Sequence, residues 1–231
     1  MSIIVQRSFR VASADQTQFE RMSAQELWPA VLQFGAKMVA YGTWAFGGRA
    51  DEVTTHTAYE SFDHWMATKE NEDLRLASAE RGDLVRTASA RIIDVNDDAS
   101  HLDVTHRDPD APAVELPPTF GRGSVISERT YDLSEGAAAE FTRLSQEHIW
   151  PWLEQQGARL VAYGHDPLGP SQEMITLFAF RSMSDWHRLS RPSTKLAPSP
   201  QVVEAWTHRD SLIRRHHGRL LLVGTDFGAL L

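Results

Sequence analysis

The sequence predicts an α+β protein of two ferredoxin-like β-α-β-β-α-β repeats, packed sheet to sheet as an intramolecular α/β barrel. The main evidence is an internal repeat, because residues 19–42 align without a gap with residues 141–164 and share 12 identities in 24 positions. In addition, the same order of strand and helix patterns follows in both halves. A ferredoxin-like sheet has helices on one side only, so two such halves can bury their bare faces together.

The predicted elements follow in the same order in each half. Alternating apolar residues predict first strands over 3–11 and 125–133, and each strand has an arginine, Arg7 or Arg129, at its middle. Apolar residues at helical spacing come next. A two-stranded hairpin follows, with strands at about 37–46 and 52–60 in the first half and about 159–166 and 173–181 in the second. A second helical region continues through 71–87 or 200–214, and a fourth strand at about 89–95 or 218–224 completes each half.

The domain organisation predicted from this pattern is a first repeat over 1–95, a linker over 96–122 and a second repeat over 123–231. The linker is indicated by six aspartates and four prolines between residues 94 and 124. A duplicated chain can form within one molecule the barrel that a single-repeat protein forms as a dimer. We therefore expect a monomeric pseudo-dimer, with further association into homo-oligomers left open.

Composition excludes several functional classes. The chain of 231 residues is 42% hydrophobic, which is enough for a substantial core, and its formal charge of −8 argues against a nucleic-acid partner. The absence of cysteine excludes disulfides, thiolate metal sites and cysteine nucleophiles. No apolar stretch is long enough for a membrane helix, and the N-terminus has a strand pattern, so a cytoplasmic protein without a membrane partner is expected.

Two motifs resemble those of a known family. The segment Arg129-Thr130-Tyr131-Asp132-Leu133 is followed by Gly136, a Trp-Pro helix and Val161-Ala162-Tyr163-Gly164. This series resembles the NIPSNAP family of the dimeric α/β-barrel superfamily, which has an R-T-Y-x-L-x-x-G start. The first half keeps Arg7 and the intact Val39-Ala40-Tyr41-Gly42 but has Phe9 in place of the tyrosine.

The resemblance implies a pocket for a small organic molecule. The wider superfamily includes cofactor-free monooxygenases, cyclases, isomerases, dehydratases and haem enzymes. We expect a small-molecule enzyme of specialised or catabolic metabolism that uses acid–base or enolate chemistry without a bound cofactor, since nucleotide-binding motifs are absent. The alternatives are a non-catalytic module that binds a small ligand or a protein, and a haem-binding barrel enzyme.

Three residues are the predicted catalytic set. His56 stands among threonines on a central strand where the second repeat has Leu177, and an imidazole titrates near working pH, so His56 is the candidate base. Tyr41 is the candidate proton donor. Arg7 is the candidate for holding an oxyanion. A structural ion pair of Arg7 or Arg129 with Glu128, Glu60 or Asp63 is the favoured alternative.

The remaining candidates are predicted to bind substrate. They are the repeat counterparts and neighbours of the catalytic set: Arg129, Tyr163, Trp44 and His165. No metal is expected, because the ten histidines show no convincing metal-ligand spacing. For the haem alternative, the candidate ligands are His148, His187 and His208.

Overall fold

Eight strands form the framework of the protein. The structure, a computed structural model, describes residues 1–100, 120–190 and 198–224. The four strands of the first repeat are β1 (Ile3–Val11), β2 (Lys37–Phe46), β3 (Glu52–Tyr59) and β4 (Val85–Val95). Those of the second repeat are β5 (Val125–Leu133), β6 (Arg159–His165), β7 (Glu173–Phe180) and β8 (Ile213–Val223).

Eight α-helices lie between these strands in the described part of the chain. Those of the first repeat are α1 (Gln16–Met22), α2 (Trp28–Gln33), α3 (Phe62–Glu70) and α4 (Glu72–Gly82). Those of the second repeat are α5 (Ala138–Leu144), α6 (Trp150–Gln155), α7 (Met183–Leu189) and α8 (Pro200–Ser211). None of the helices in these ranges is long and apolar enough to cross a membrane.

The strands close into one antiparallel barrel. Their order around the ring is β1-β3-β2-β8-β5-β7-β6-β4, and β4 pairs with β1 to close it. The two repeats therefore join along two seams, β2 with β8 and β4 with β6. The predicted α+β barrel of two ferredoxin-like repeats is confirmed, and the sheets meet at their edges as well as through their faces.

A glycine lies at each seam. Gly42 and Gly164 end the Val-Ala-Tyr-Gly motif of the two repeats, on β2 and β6. A Cβ atom on Gly42 would collide with the carbonyl oxygen of Leu222, and one on Gly164 with the carbonyl oxygen of Asp94. The duplicated motif thus permits the close backbone approach that joins the repeats.

Alternate residues of each strand face opposite layers. One face fills the barrel interior with aliphatic side chains from both repeats, including Ile4, Val161 and Leu221. The other face packs against the helices in separate clusters, one around Phe19 and Trp28 and another around Phe141 and Trp150. A residue's position along a strand therefore decides whether it faces the barrel interior or the helix layer.

Several local features differ from the sequence predictions. Each first helix is interrupted by a π-helical turn, Ser23–Leu27 or Ser145–Ile149, directly before a Trp-Pro pair. A proline has no N–H to donate and its ring crowds the preceding turn, which a wider turn accommodates. The fourth strands begin at Val85 and Ile213, earlier than predicted, because α4 and α8 end sooner. Most of the predicted linker, residues 101–119, lies outside the described residues.

Candidate functional site

A cavity of about 480 Å³ lies between the sheet and the helices of the first repeat. We call it the first-repeat cavity. Its floor is formed by β1 and β3 and its walls by α2 and α4, with apolar side chains such as Trp28 and Met38. The polar and charged lining residues are Arg7, Thr55, Thr57, Tyr59, Thr68, Lys69, Arg75, Ser78 and Arg81. A cavity of this size suits a small organic molecule.

The cavity is strongly cationic. Arg7 lines it from mid-β1, and Arg81 lines it from α4 with only 5% of its surface exposed. Burial, and then the nearby charge of Arg7, lower the pKa of Arg81 to about 10, so the guanidinium stays charged at neutral pH. Arg81 donates to Ser23 Oγ at 3.1 Å, while its Nε has no hydrogen-bond partner among the residues that the structure describes. Within the described ranges, neither arginine forms a salt bridge with a carboxylate.

The equivalent space in the second repeat is nearly filled. Only about 30 Å³ remains there, although the arginine pair is retained as Arg129 and Arg209. At the positions of Thr57 and Ser78, the second repeat carries Phe178 and Trp206. Aromatic rings thus occupy in the second repeat the space that is open in the first, and the two copies of the site have diverged.

A second polar group lies inside the barrel, away from this cavity. Glu128, 2% exposed, accepts hydrogen bonds from Arg91 at 2.6 Å, from Arg219 at 2.6 Å and from the Gln6 amide at 2.6 Å. The Gln6 amide also donates to His56 Nε2 at 2.7 Å. This interior cluster of Gln6, His56, Arg91, Glu128 and Arg219 joins both repeats.

Electrostatics fixes the charge states of the cluster. Burial alone raises the pKa of Glu128, but His56 and the charges of Arg91 and Arg219 outweigh it and hold that pKa well below its usual range. For His56, burial dominates and lowers the pKa, which favours the neutral ring. Since Nε2 accepts from Gln6, the ring proton lies on Nδ1, which has no partner among the described residues.

The structure does not bring the three predicted catalytic residues together. Arg7 lines the first-repeat cavity, but His56 points to the opposite face of β3, where it is fully buried in the barrel interior. Tyr41 lies on the helix side behind Trp28, with ring centroids 4.8 Å apart, and is not among the cavity's lining residues. Burial raises the pKa of Tyr41, and Glu20 raises it further.

The predicted substrate-binding residues are also spread over different surroundings. Arg129 lines the nearly filled space of the second repeat. The Tyr163 hydroxyl pairs with Thr142 Oγ1 at 2.6 Å. Trp44 packs in the barrel interior, donates to Glu52 at 2.8 Å and lies beneath the Arg219 guanidinium. His165 lies opposite Asp94 in the backbone pairing of β6 with β4, at one of the two seams.

The favoured ion pair of Arg7 or Arg129 with Glu128, Glu60 or Asp63 is not formed among the described residues, and that interpretation is wrong. Glu128 points into the barrel and binds Arg91 and Arg219, whereas Arg129, its neighbour on β5, faces the helices. Successive strand residues face opposite layers, which separates these side chains. Sequence reasoning also missed Arg81, although its alignment with Arg209 at an offset of 128 residues, shared with Arg86 and Arg214, could have indicated it.

The histidines of the haem alternative lie on the helical surface of the second repeat. His148 and His208 border a shallow surface depression between α5 and α8, and His187 lies on α7. The nearby interior space of about 30 Å³ has no room for a porphyrin. Over the ranges that the structure describes, no group of three or more His, Asp or Glu side chains is placed to hold a metal ion.

Comparison with known proteins supports the resemblance stated from the sequence. The NIPSNAP family model matches residues 126–225, a range that covers most of the second repeat. A search of curated protein sequences gives no match. The predicted resemblance of this duplicated chain to the NIPSNAP family is confirmed.

Solved structures share the whole fold. A candidate monooxygenase from Lactobacillus acidophilus superposes with a TM-score of 0.67 at 8% identity, covering 100% of this chain and 99% of that one. A candidate monooxygenase from Fusobacterium nucleatum superposes with a TM-score of 0.63 at 11% identity, covering 98% of this chain and 95% of that one. An anthrone oxidase-like protein superposes with a TM-score of 0.55 at 12% identity, covering 100% of this chain and 97% of that one. At these identities the similarity shows the fold alone.

Proposed function

We propose that this protein is a small-molecule enzyme that binds an anionic or acidic organic substrate in the first-repeat cavity. The observation that carries the proposal is the pair Arg7 and Arg81, two cations that line a cavity of about 480 Å³ without a carboxylate partner among the described residues. A buried guanidinium requires a negative partner, and a bound substrate can supply it.

The reaction class follows from the charge of the lining. Two guanidinium groups stabilise an enolate or phenolate and lower the pKa of the acid that forms it, so an acidic substrate bound in the cavity can pass its proton to solvent water. A stabilised carbanion can then react with dioxygen, with a carbonyl group of the same molecule or with a proton. These routes correspond to oxygenation, cyclisation and isomerisation, and the fold shared with candidate monooxygenases favours oxygenation.

The roles within the proposed site differ from the set expected from sequence. Arg7 keeps its proposed role of holding the oxyanion, and Arg81 joins it. His56 has no path to this cavity because the sheet lies between them, so its role as base is not part of the proposal. The absence of nucleotide-binding motifs supports chemistry without a bound redox cofactor.

The proposal is tested by turnover of acidic polycyclic phenols and aromatic 1,3-diketones in air, followed by oxygen uptake and product mass. Replacing Arg7 with Met removes a charge aimed at the developing oxyanion and should lower kcat/KM by about 10²- to 10³-fold. The exposed Arg215→Met variant is the charge-matched control and should retain full activity. Unchanged turnover in the Arg7→Met variant would overturn the assignment.

A second candidate function is ligand binding without catalysis. It is favoured by one observation: none of the described lining residues is a histidine, aspartate or glutamate, so the cavity has no imidazole or carboxylate base. Mass spectrometry of the ligand that co-purifies, followed by prolonged incubation with that ligand in air, separates the two. If binding of the ligand requires Arg7 and the ligand is recovered unchanged after incubation, the result supports binding alone. Conversion of the ligand to a product supports the enzyme.

A further inference from the structure

The second repeat shows what the first-repeat cavity is built to hold. Tyr131 on β5 has its hydroxyl within hydrogen-bonding reach of Arg129 and Thr176. Burial raises the pKa of Tyr131, but the charges of Arg129 and Arg209 lower it by more, so the net pKa falls below its ordinary value. The hydroxyl of Tyr131 thus lies in the field of two guanidinium groups.

The first repeat carries the same receptor without the phenol. Arg7 pairs in register with Thr55 just as Arg129 pairs with Thr176. The Tyr131 counterpart, however, is Phe9, which has no hydroxyl and also lines the cavity. Phe9 packs on Phe19 at 5.3 Å with a 52° tilt, and Tyr131 packs on Phe141 at 5.0 Å with a 53° tilt. The two rings therefore pack alike on their neighbours, and Phe9 lacks the hydroxyl that Tyr131 carries.

We infer that the first-repeat cavity binds an aromatic phenol or enol, whose oxygen takes the place of the Tyr131 hydroxyl between Arg7 and Thr55. The fused rings of such a ligand lie where Phe178 and Trp206 lie in the second repeat, on the side opened by Thr57 and Ser78. The second repeat thus serves as an internal mimic of the ligand-bound first repeat. This inference rests on the proposed function and specifies its substrate class.

The probe pair is a naphthol and its methyl ether, in which a methyl group replaces the hydroxyl proton so that the oxygen can neither ionise nor donate a hydrogen bond. We expect the naphthol to bind at least about tenfold more tightly than the ether, because only the naphthol can offer an anionic oxygen to Arg7 and Thr55. Bound naphthol should also show the absorption spectrum of naphtholate at a pH where the free compound is neutral, since the two arginines lower its pKa.

Two first-repeat variants test the oxygen position, each with a matched variant in the second repeat. Thr55→Val removes one partner and should reduce the preference for naphthol about five- to tenfold, whereas Thr176→Val should leave it unchanged. Phe9→Tyr restores the missing hydroxyl, which then competes with the ligand, so naphthol affinity should fall while thermal stability is kept. Tyr131→Phe is its control and should bind naphthol as the native protein does.

The outcomes separate this inference from the proposed function. A naphthol preference that Thr55→Val weakens supports the inference, and this variant still tests it if Phe9→Tyr fails to fold. If naphthol and its ether bind equally well, the phenol assignment is overturned. If the Thr57→Phe variant, in which the cavity is filled, then binds neither compound, the cavity is still shown to be a binding site. If the native protein binds neither probe, the inference is overturned together with the proposed role of the cavity for aromatic substrates.

Discussion

The interior cluster makes a sharp prediction about stability. Replacing Glu128 with Gln keeps the shape of the side chain but removes the negative charge between Arg91 and Arg219. The carboxylate accepts three hydrogen bonds from these arginines, two at 2.6 Å and one at 3.2 Å, in a site where Glu128 itself is 2% exposed. The variant leaves the two guanidinium groups close together with only a neutral amide between them.

The magnitude follows from burial and from partial access of water. Breaking a buried ion pair costs about 3–5 kcal/mol. Arg91 and Arg219 are only about three-quarters buried, so water relieves part of that cost, and we expect a loss near the lower limit, about 3 kcal/mol. For a domain of this size the midpoint of thermal unfolding should fall by roughly 6–12 °C.

The assay is thermal and guanidinium unfolding at pH 7.5, followed by tryptophan fluorescence. Glu140→Gln, which removes an exposed partner of Arg143, is the control and should leave the midpoint unchanged. Gln6→Glu is a second variant, which places two carboxylates at repeat-related positions and should destabilise the protein at neutral pH. A Glu128→Gln midpoint within about 2 °C of the native value would refute the reasoning that the cluster holds the repeats together.

Three further predictions concern other layers of the fold. His56→Leu introduces the residue of its repeat counterpart, and the variant should lose less stability than the native protein as the pH falls below about 6.5, measured by unfolding between pH 8 and 5. Phe178→Thr introduces the residue that the first repeat has at this position, Thr57. It should lower the free energy of unfolding by about 3 kcal/mol and open a cavity in the second repeat, which a crystal structure of the variant would show. Gly42→Ala should cost at least about 2 kcal/mol, measured in guanidinium, because its Cβ meets a backbone carbonyl at the seam.

The pH prediction has a definite sign. Burial lowers the pKa of folded His56 below the unfolded value, so the stability it contributes is present above the unfolded pKa and is lost as the pH falls. The lowered pKa of Glu128 gives the same sign at lower pH, starting near the unfolded value of about 4.3. A His56→Leu profile parallel to the native one between pH 7 and 5 would contradict the assignment.

The seam and cavity predictions have internal controls. A Cβ atom on Gly82 would meet no other atom within 4 Å, so Gly82→Ala should be nearly neutral where Gly42→Ala is not. Thr57→Phe fills the first-repeat cavity and should lower ligand binding without the loss of stability expected for Phe178→Thr. Equal stability of the two glycine variants would show that the seam tolerates extra backbone separation.

The sequence by itself determined the architecture. The repeat between residues 19–42 and 141–164 established two equal halves, and strand and helix periodicity gave the element order that the structure shows. These signals are local and each occurs twice, so an element whose pattern is weak in one half is indicated by the stronger pattern of its counterpart in the other half. Element ends were less well predicted, because where α4 and α8 stop depends on packing that periodicity does not report.

The tertiary structure decided which polar residues meet. Arg7 and His56 lie on neighbouring strands, yet the sheet separates them, since one faces the helices and the other the barrel interior. Whether a cavity is open likewise depends on side-chain volumes contributed by distant elements: Thr57 and Ser78 leave space that Phe178 and Trp206 fill. Repeated sequence therefore specified two copies of one fold, whereas the packing of non-repeated side chains left an open site in only one of them.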